Sequence, residues 1–157
     1  MKLHSLSEIK DELNHTPSKE LLAICLRLAK YKKENKELLS FMLFEAHDVQ
    51  SYVDSVKNEI EEQFLHINRS NLHYVKKTLR KILRTTNKYI RFAASKESEA
   101  EILVHFCLIL KASGIPVDKS KALINIYQGQ LKKIRAAIEL LHEDLQYQYL
   151  KQVNELS

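Results

Sequence analysis

Glycine and proline are almost absent from this chain, which has two of each among its 157 residues. An all-β protein needs such residues at the many turns that join its strands, so this supply is far too small for one. A chain of this length can also remove most of its apolar surface from water as one unit, without disulfides. The sequence therefore predicts an all-α fold in a single domain, residues 1–157.

Apolar residues recur at intervals of three and four along most of the chain, as they do on one face of an amphipathic helix. Capping boxes formed by Ser5 with Glu8 and by Ser98 with Glu101 mark two helix starts, and Gly114 marks a helix end. Gly129 separates the last two periodic segments, although a single glycine can also lie inside one continuous helix at a cost of about 1 kcal/mol. We predict about eight antiparallel helices in a bundle or a helical-repeat-like stack, near residues 6–14, 17–33, 36–46, 49–68, 71–93, 99–113, 119–128 and 130–154.

Two segments resemble each other within the chain: ELLAICLRLAK at 20–30 and EILVHFCLILK at 101–111. Stacked helix pairs cannot bury their faces alone and tend to repeat, which suggests pseudo-repeats at 17–68 and 99–154 joined by a basic helix at 71–93. Chance similarity between two buried helices explains the same pattern, because apolar helical patterns resemble one another. Both interpretations stay open.

Several kinds of chemistry lack their sequence signals. Glycine occurs only at 114 and 129, which excludes a glycine-rich phosphate loop. Cys25 and Cys107 lie in apolar runs without a second Cys or a His at metal-ligand spacing, so we predict that both are core residues in a reducing compartment. No signal peptide or apolar run long enough to span a membrane is visible, so we expect a cytoplasmic protein without membrane association.

One spacing could serve a metal. Glu139 and His142 would share a helical face, as ligands do in di-iron bundles, and Glu101 with His105 would be the nearest second pair. That second pair does not repeat the spacing, and exposed Glu and His residues are common on charged helices. We therefore predict no metal, no cofactor and no catalytic residue, and no enzymatic activity.

The basic helix carries the main charge feature, because the segment 69–91 has eight Lys and Arg residues and no acid in a chain of net charge +5. At 100° per residue its cations form one stripe beside an apolar face: Lys76, Lys77, Arg80, Lys81, Arg84, Lys88 and Arg91. The stripe could track a nucleic-acid backbone or bind an acidic protein. Alternatively it is a solvated face, or its cations pair with acids of the preceding helix, 48–67, namely Asp54, Glu59, Glu61 and Glu62.

The start of the chain reads SLSEIKDELNHTPSKELLAICLRLAKYKKENKELLSFMLFEA over residues 5–46. It combines a short helix, a Ser18-Lys19-Glu20 cap, a helix with a basic end and a restart at Asn35-Lys36. This pattern resembles a family of small all-helical bacterial proteins of unknown function, mainly over residues 5–65. The resemblance implies an all-α fold and assigns no functional residues.

These observations lead to one functional expectation and one alternative. We expect a non-enzymatic helical scaffold that binds another protein or a second copy of itself. The alternative is a protein that binds the backbone of RNA or DNA through the basic helix at 69–91.

Overall fold

The computed structural model describes all 157 residues and is all-α, with eight α-helices and no strand, so the predicted fold class is confirmed. A π-helical turn, Phe41–Glu45, follows α3, and a 3₁₀ turn, Val117–Lys119, precedes α7. The helices are α1 Leu6–His15, α2 Ser18–Tyr31, α3 Lys33–Ser40, α4 Val49–Leu65, α5 Leu72–Ala93, α6 Lys96–Ala112, α7 Lys121–Ile138 and α8 Glu143–Leu156.

The chain forms two compact units, residues 1–44 and residues 45–157. In the first unit α2 and α3 pack against each other. In the second unit α6 packs against α4, α5, α7 and α8, which makes it the central helix of a bundle. The single domain and the pseudo-repeats at 17–68 and 99–154 stay predictions.

Helix α6 is central because its sequence is apolar on nearly every side, and a helix of that kind is stable only when neighbours surround it. The ring of Phe106 meets that of Phe64 from α4 edge-on, with centroids 5.5 Å apart. The α6 residues with no exposed surface are Ala100, Ile102, Leu103, Phe106, Cys107 and Leu110.

Side-chain caps mark five of the eight helix starts, and one of the two predicted capping boxes is confirmed. The backbone N–H of Glu8 donates to Ser5 Oγ at 3.3 Å, and Glu8 Oε2 accepts from the Ser5 backbone N–H at 2.7 Å. The box predicted for Ser98 and Glu101 is wrong. Ser95 caps α6 instead and accepts from the backbone N–H of Ser98 at 3.2 Å, so the helix begins one turn earlier.

The predicted boundary at Gly129 is also wrong, because α7 runs through it from Lys121 to Ile138. A glycine costs a helix about 1 kcal/mol, which the burial of the nearby apolar residues Leu131 and Ile134 offsets. The chain turns ten residues later. There the amide of Gln146 donates to the carbonyl oxygens of Glu139 and Leu141, at 3.3 and 2.8 Å, and this ties the turn to α8.

The two cysteines have opposite environments. Cys107 is fully buried as predicted, and burial raises the pKa of its thiol to about 12. Cys25 is exposed, so its prediction as a core residue is wrong.

The segments 20–30 and 101–111 share an apolar pattern, but the helices that contain them have different surroundings. Helix α6 packs against four other helices, whereas α2 packs against α3. Periodicity alone does not reveal how many neighbours a helix has.

We expect the two glycines to respond to alanine substitution with opposite signs. Gly114 has φ +70°, where a side chain costs about 1–2 kcal/mol, so Gly114→Ala should lower the free energy of unfolding by that amount. An added Cβ at Gly129 meets nothing within 4 Å, so Gly129→Ala should raise it by up to about 1 kcal/mol. Urea denaturation followed by circular dichroism measures both changes. Equal changes in the free energy of unfolding of the two variants would contradict the left-handed backbone conformation of Gly114 after the end of α6.

Candidate functional site

Helix α5 separates an apolar face from a cationic one. Asn71 begins the helix by accepting the backbone N–H of Tyr74 at 3.1 Å. The buried residues of the helix are Val75, Leu79, Ile82, Leu83, Thr86, Ile90 and Phe92. The cations lie on the opposite side, five of them exposed and two half-buried, and we name them the cationic surface: Lys76, Lys77, Arg80, Lys81, Arg84, Lys88 and Arg91.

The cations of α5 repel one another. Lys76, Arg80 and Arg84 follow at intervals of four residues, so neighbouring charges are about 6 Å apart along the helix axis. Like charges at this spacing destabilise a helix by a few tenths of a kcal/mol per pair. The helix contains no acidic residue to offset them. An anion bound along this row would therefore stabilise α5 as well as being held by it.

Five of the seven cations of the cationic surface are not neutralised by the acids of α4. Three of these acids have partners elsewhere: Asp54 with Lys57 at 3.8 Å, Glu59 with the Tyr89 hydroxyl at 3.4 Å, and Glu61 with His105 at 2.9 Å. No ion pair joins α4 to five of the cations, namely Lys76, Lys77, Arg80, Lys81 and Arg84. The pairing interpretation is thus wrong for these five.

The structure adds one cation that sequence reasoning missed. Helix α7 packs beside α5, and Lys133 Nζ lies 3.4 Å from Oδ1 of Asn87 on α5. Lys133 thereby extends the positive charge from one helix to the next. No sequence signal could identify it, because 46 residues separate it from Asn87 and only the packing of α5 on α7 brings them together.

A cleft of about 350 Å³ in the second unit collects polar residues of α4, α6 and α8. Lys57 Nζ donates to Glu101 Oε1, and Gln50 Nε2 donates to the same oxygen at 3.2 Å. Tyr149 lines the cleft with its body buried, and burial raises the pKa of its hydroxyl to about 12, with the nearby Glu101 carboxylate adding to the shift. Of the polar groups that line the cleft, Lys57 and Glu101 are engaged with each other.

The residues considered as metal ligands are dispersed. Helix α7 ends at Ile138 and His142 is the N-cap of α8, so the prediction that Glu139 and His142 share a helical face is wrong. Glu101 is paired with Lys57, and His105 lies beside Glu61. The chain contains no group of three or more His, Cys, Asp or Glu residues that could hold a metal ion.

His105 makes stability depend on pH. Desolvation by burial lowers its pKa below the usual value of about 6.5, although the carboxylate of Glu61 opposes this shift. Lys57 nearby lowers the pKa further, and Glu101 raises it. The unfolded chain therefore binds the proton more readily than the folded one, and stability should fall as the pH drops below about 6.5.

Thermal unfolding between about pH 7.5 and 5.5 measures this effect. The variant His105→Gln should lose less stability over the same interval, because its side chain does not titrate. An equal loss in the variant and the unaltered protein would show that His105 is not the responsible group.

The first unit exposes an unusual amount of apolar surface. Within residues 1–44 only Phe41 is buried, and side chains such as Leu22, Leu28 and Phe44 are exposed by 61%, 55% and 70%. A groove of about 300 Å³ between α2 and α3 is lined by Cys25, Leu28, Ala29, Asn35, Leu38, Leu39 and Met42. We name the following exposed residues the apolar face: Leu22, Ile24, Leu26, Leu28, Leu38, Met42, Leu43 and Phe44.

Sequence reasoning missed this face, although α2 carries a signal for it. At 100° per residue the Leu, Ile and Cys residues of α2 from Leu21 to Leu28 cover about 200° of the helix circumference. A surface helix of a globular protein needs an apolar stripe of about 100°. The excess width predicts a helix with more than one neighbour, whereas α3 alone covers α2 within this unit.

Comparison with family models, with curated proteins and with solved structures finds no match to this chain. The resemblance of residues 5–65 to a family of small helical bacterial proteins therefore stays a prediction. None of the helices has both the length and the apolar character needed to cross a membrane.

Proposed function

We propose that this chain is a non-enzymatic helical module that binds a protein through the apolar face of its N-terminal unit. The observation that carries the proposal is the exposure of that face on helices whose own unit has almost no core. Moving one Leu or Phe side chain fully from water into an apolar contact contributes about 1.5–3 kcal/mol. Eight large residues, each partly exposed, thus represent a considerable driving force for association.

The shape of the face supports a helical partner. The groove lies between α2 and α3 and is lined almost entirely by apolar side chains. An amphipathic helix can lie in such a groove and insert residues spaced by three and four. The charged residues of α2, such as Lys19, Glu20 and Lys30, lie on the other side of that helix by the same 100° construction.

Affinity capture with variants of the apolar face tests this proposal. The triple variant Leu22→Gln, Leu26→Gln and Leu28→Gln replaces apolar surface while keeping good helix formers. The unaltered protein should retain bound protein after nuclease treatment, and the triple variant should lose it. The matched control changes Leu65 and Leu140, two exposed leucines of the second unit, to Gln and should behave like the unaltered protein. Capture that is unchanged in the triple variant would contradict the proposal.

The binding of a nucleic-acid backbone by the cationic surface is a second candidate. The observation that favours it is the row of exposed cations that lack acidic partners, together with Lys133 on the adjacent helix. Such contacts are electrostatic and blind to sequence, which places the expected dissociation constant at about 10⁻⁴–10⁻⁶ M near physiological salt. The salt dependence of binding to RNA or DNA is its test.

A further inference from the structure

We infer that the partner of the apolar face is a second copy of this chain, so that two N-terminal units associate as a homodimer. The inference rests on the proposed role of the apolar face in protein binding. Two properties of residues 1–44 support this partner: the amount of apolar surface and its distribution around α2.

The amount of surface fits a stable interface. The eight exposed side chains of the apolar face together offer on the order of 800 Å², and a typical stable interface buries about 800 Å² per partner. The largest apolar patch on an ordinary monomer is about 300–600 Å². The apolar face is therefore larger than the usual patch on a monomer and large enough for one side of a dimer.

The distribution around α2 fits a pair of helical hairpins. Helices α2 and α3 pack against each other beside an open groove, and the apolar arc of α2 continues beyond the part that α3 covers. Two such hairpins packed face to face make a four-helix arrangement, in which each helix gains the second neighbour that its apolar width requires.

Cys25 gives a reporter for this interface. It is exposed and lines the groove, whereas Cys107 is fully buried and burial holds the pKa of its thiol at about 12. A maleimide reagent should therefore label only Cys25 in the folded protein. Dimerisation should cover this thiol, so its labelling rate should fall by at least about tenfold as the protein concentration rises through the dissociation constant.

The experiment combines labelling with the mass of the full chain in solution. Light scattering after gel filtration, at about 1–100 μM protein, should give the mass of a dimer. The variant Leu22→Gln with Leu28→Gln should dissociate at least about tenfold more readily and label rapidly at every concentration. The control Leu65→Gln should remain dimeric and protected.

Three outcomes separate this inference from the proposed function. A dimer that the variant Leu22→Gln with Leu28→Gln weakens supports both. A monomer whose Cys25 is labelled rapidly at all concentrations overturns the homodimer but leaves an open apolar face for a different protein. A monomer whose Cys25 is protected overturns both, because the face would then be covered within a single chain.

Discussion

Replacing Phe106 with alanine is expected to lower the free energy of unfolding by about 3–5 kcal/mol, the range for a large aromatic residue in a tightly packed core. Phe106 has no exposed surface and lies on α6, the helix that packs against the four others of the second unit. The substitution also removes its edge-on ring contact with Phe64. Most domains have only 5–15 kcal/mol of stability, so this change should bring the second unit close to unfolding.

The measurement is urea denaturation followed by circular dichroism, since the chain has no tryptophan to serve as a fluorescence probe. Leu108→Ala is the matched control, because Leu108 lies on the same helix and is 47% exposed. It should cost about 1 kcal/mol or less, in proportion to the smaller apolar area that it buries. A cost below about 1 kcal/mol for Phe106→Ala would show that α6 is not the centre of the core.

Removing four charges from the cationic surface is expected to change nucleic-acid binding more than any other substitution on the molecule. The variant replaces Lys77, Arg80, Lys81 and Arg84, all exposed and without acidic partners, with glutamine. Each phosphate contact on duplex DNA contributes about 0.9 to the slope of log K against log salt, so the slope should fall by about 3–4. Between about 50 and 200 mM salt, this difference amounts to about two orders of magnitude in affinity.

Fluorescence anisotropy with a labelled duplex over a salt series measures both slopes. The control variant changes four exposed lysines elsewhere in the second unit to glutamine: Lys119, Lys121, Lys132 and Lys151. Its slope should stay close to that of the unaltered protein. The fold should survive in both variants, because none of these positions is buried. Weak binding of the duplex, with equal slopes of log K against log salt in the two variants, would exclude a role for α5 in binding the nucleic-acid backbone.

The charge pattern of α5 is the part of the candidate site that sequence reasoning predicts well. A helix of 22 residues samples its circumference many times, so the 3.6-residue period alone separates Leu79 and Ile82 on the buried side from Arg80 and Arg84 on the exposed side. Sequence reasoning does not predict the partners of those cations. The preceding helix, α4, carries four acids, but three of them contact other groups. Glu61 contacts a histidine of α6, Glu59 accepts from the Tyr89 hydroxyl, and Asp54 pairs with a lysine of α4 itself.

Sequence signals predict the structure reliably where the stabilising interactions join residues that are close in the chain. They mislead where contacts between helices determine the structure. The Ser5 capping box forms as predicted, because its hydrogen bonds join residues three apart. At Gly129 the local cost of about 1 kcal/mol is smaller than the gain from burying Leu131 and Ile134, so the helix continues. The actual turn at Glu139–His142 depends on where α8 must begin in order to pack on α6 and α7.

By itself, the sequence determines that this protein is built from helices, which face of α5 is charged, and that no glycine-rich phosphate loop exists. The tertiary structure decides which apolar helices are covered. Segments 20–30 and 101–111 have nearly the same apolar pattern, yet Cys107 has no exposed surface and Cys25 is exposed. The physical reason is that periodicity specifies the direction of an apolar face, whereas burial depends on how many other helices the fold brings against it.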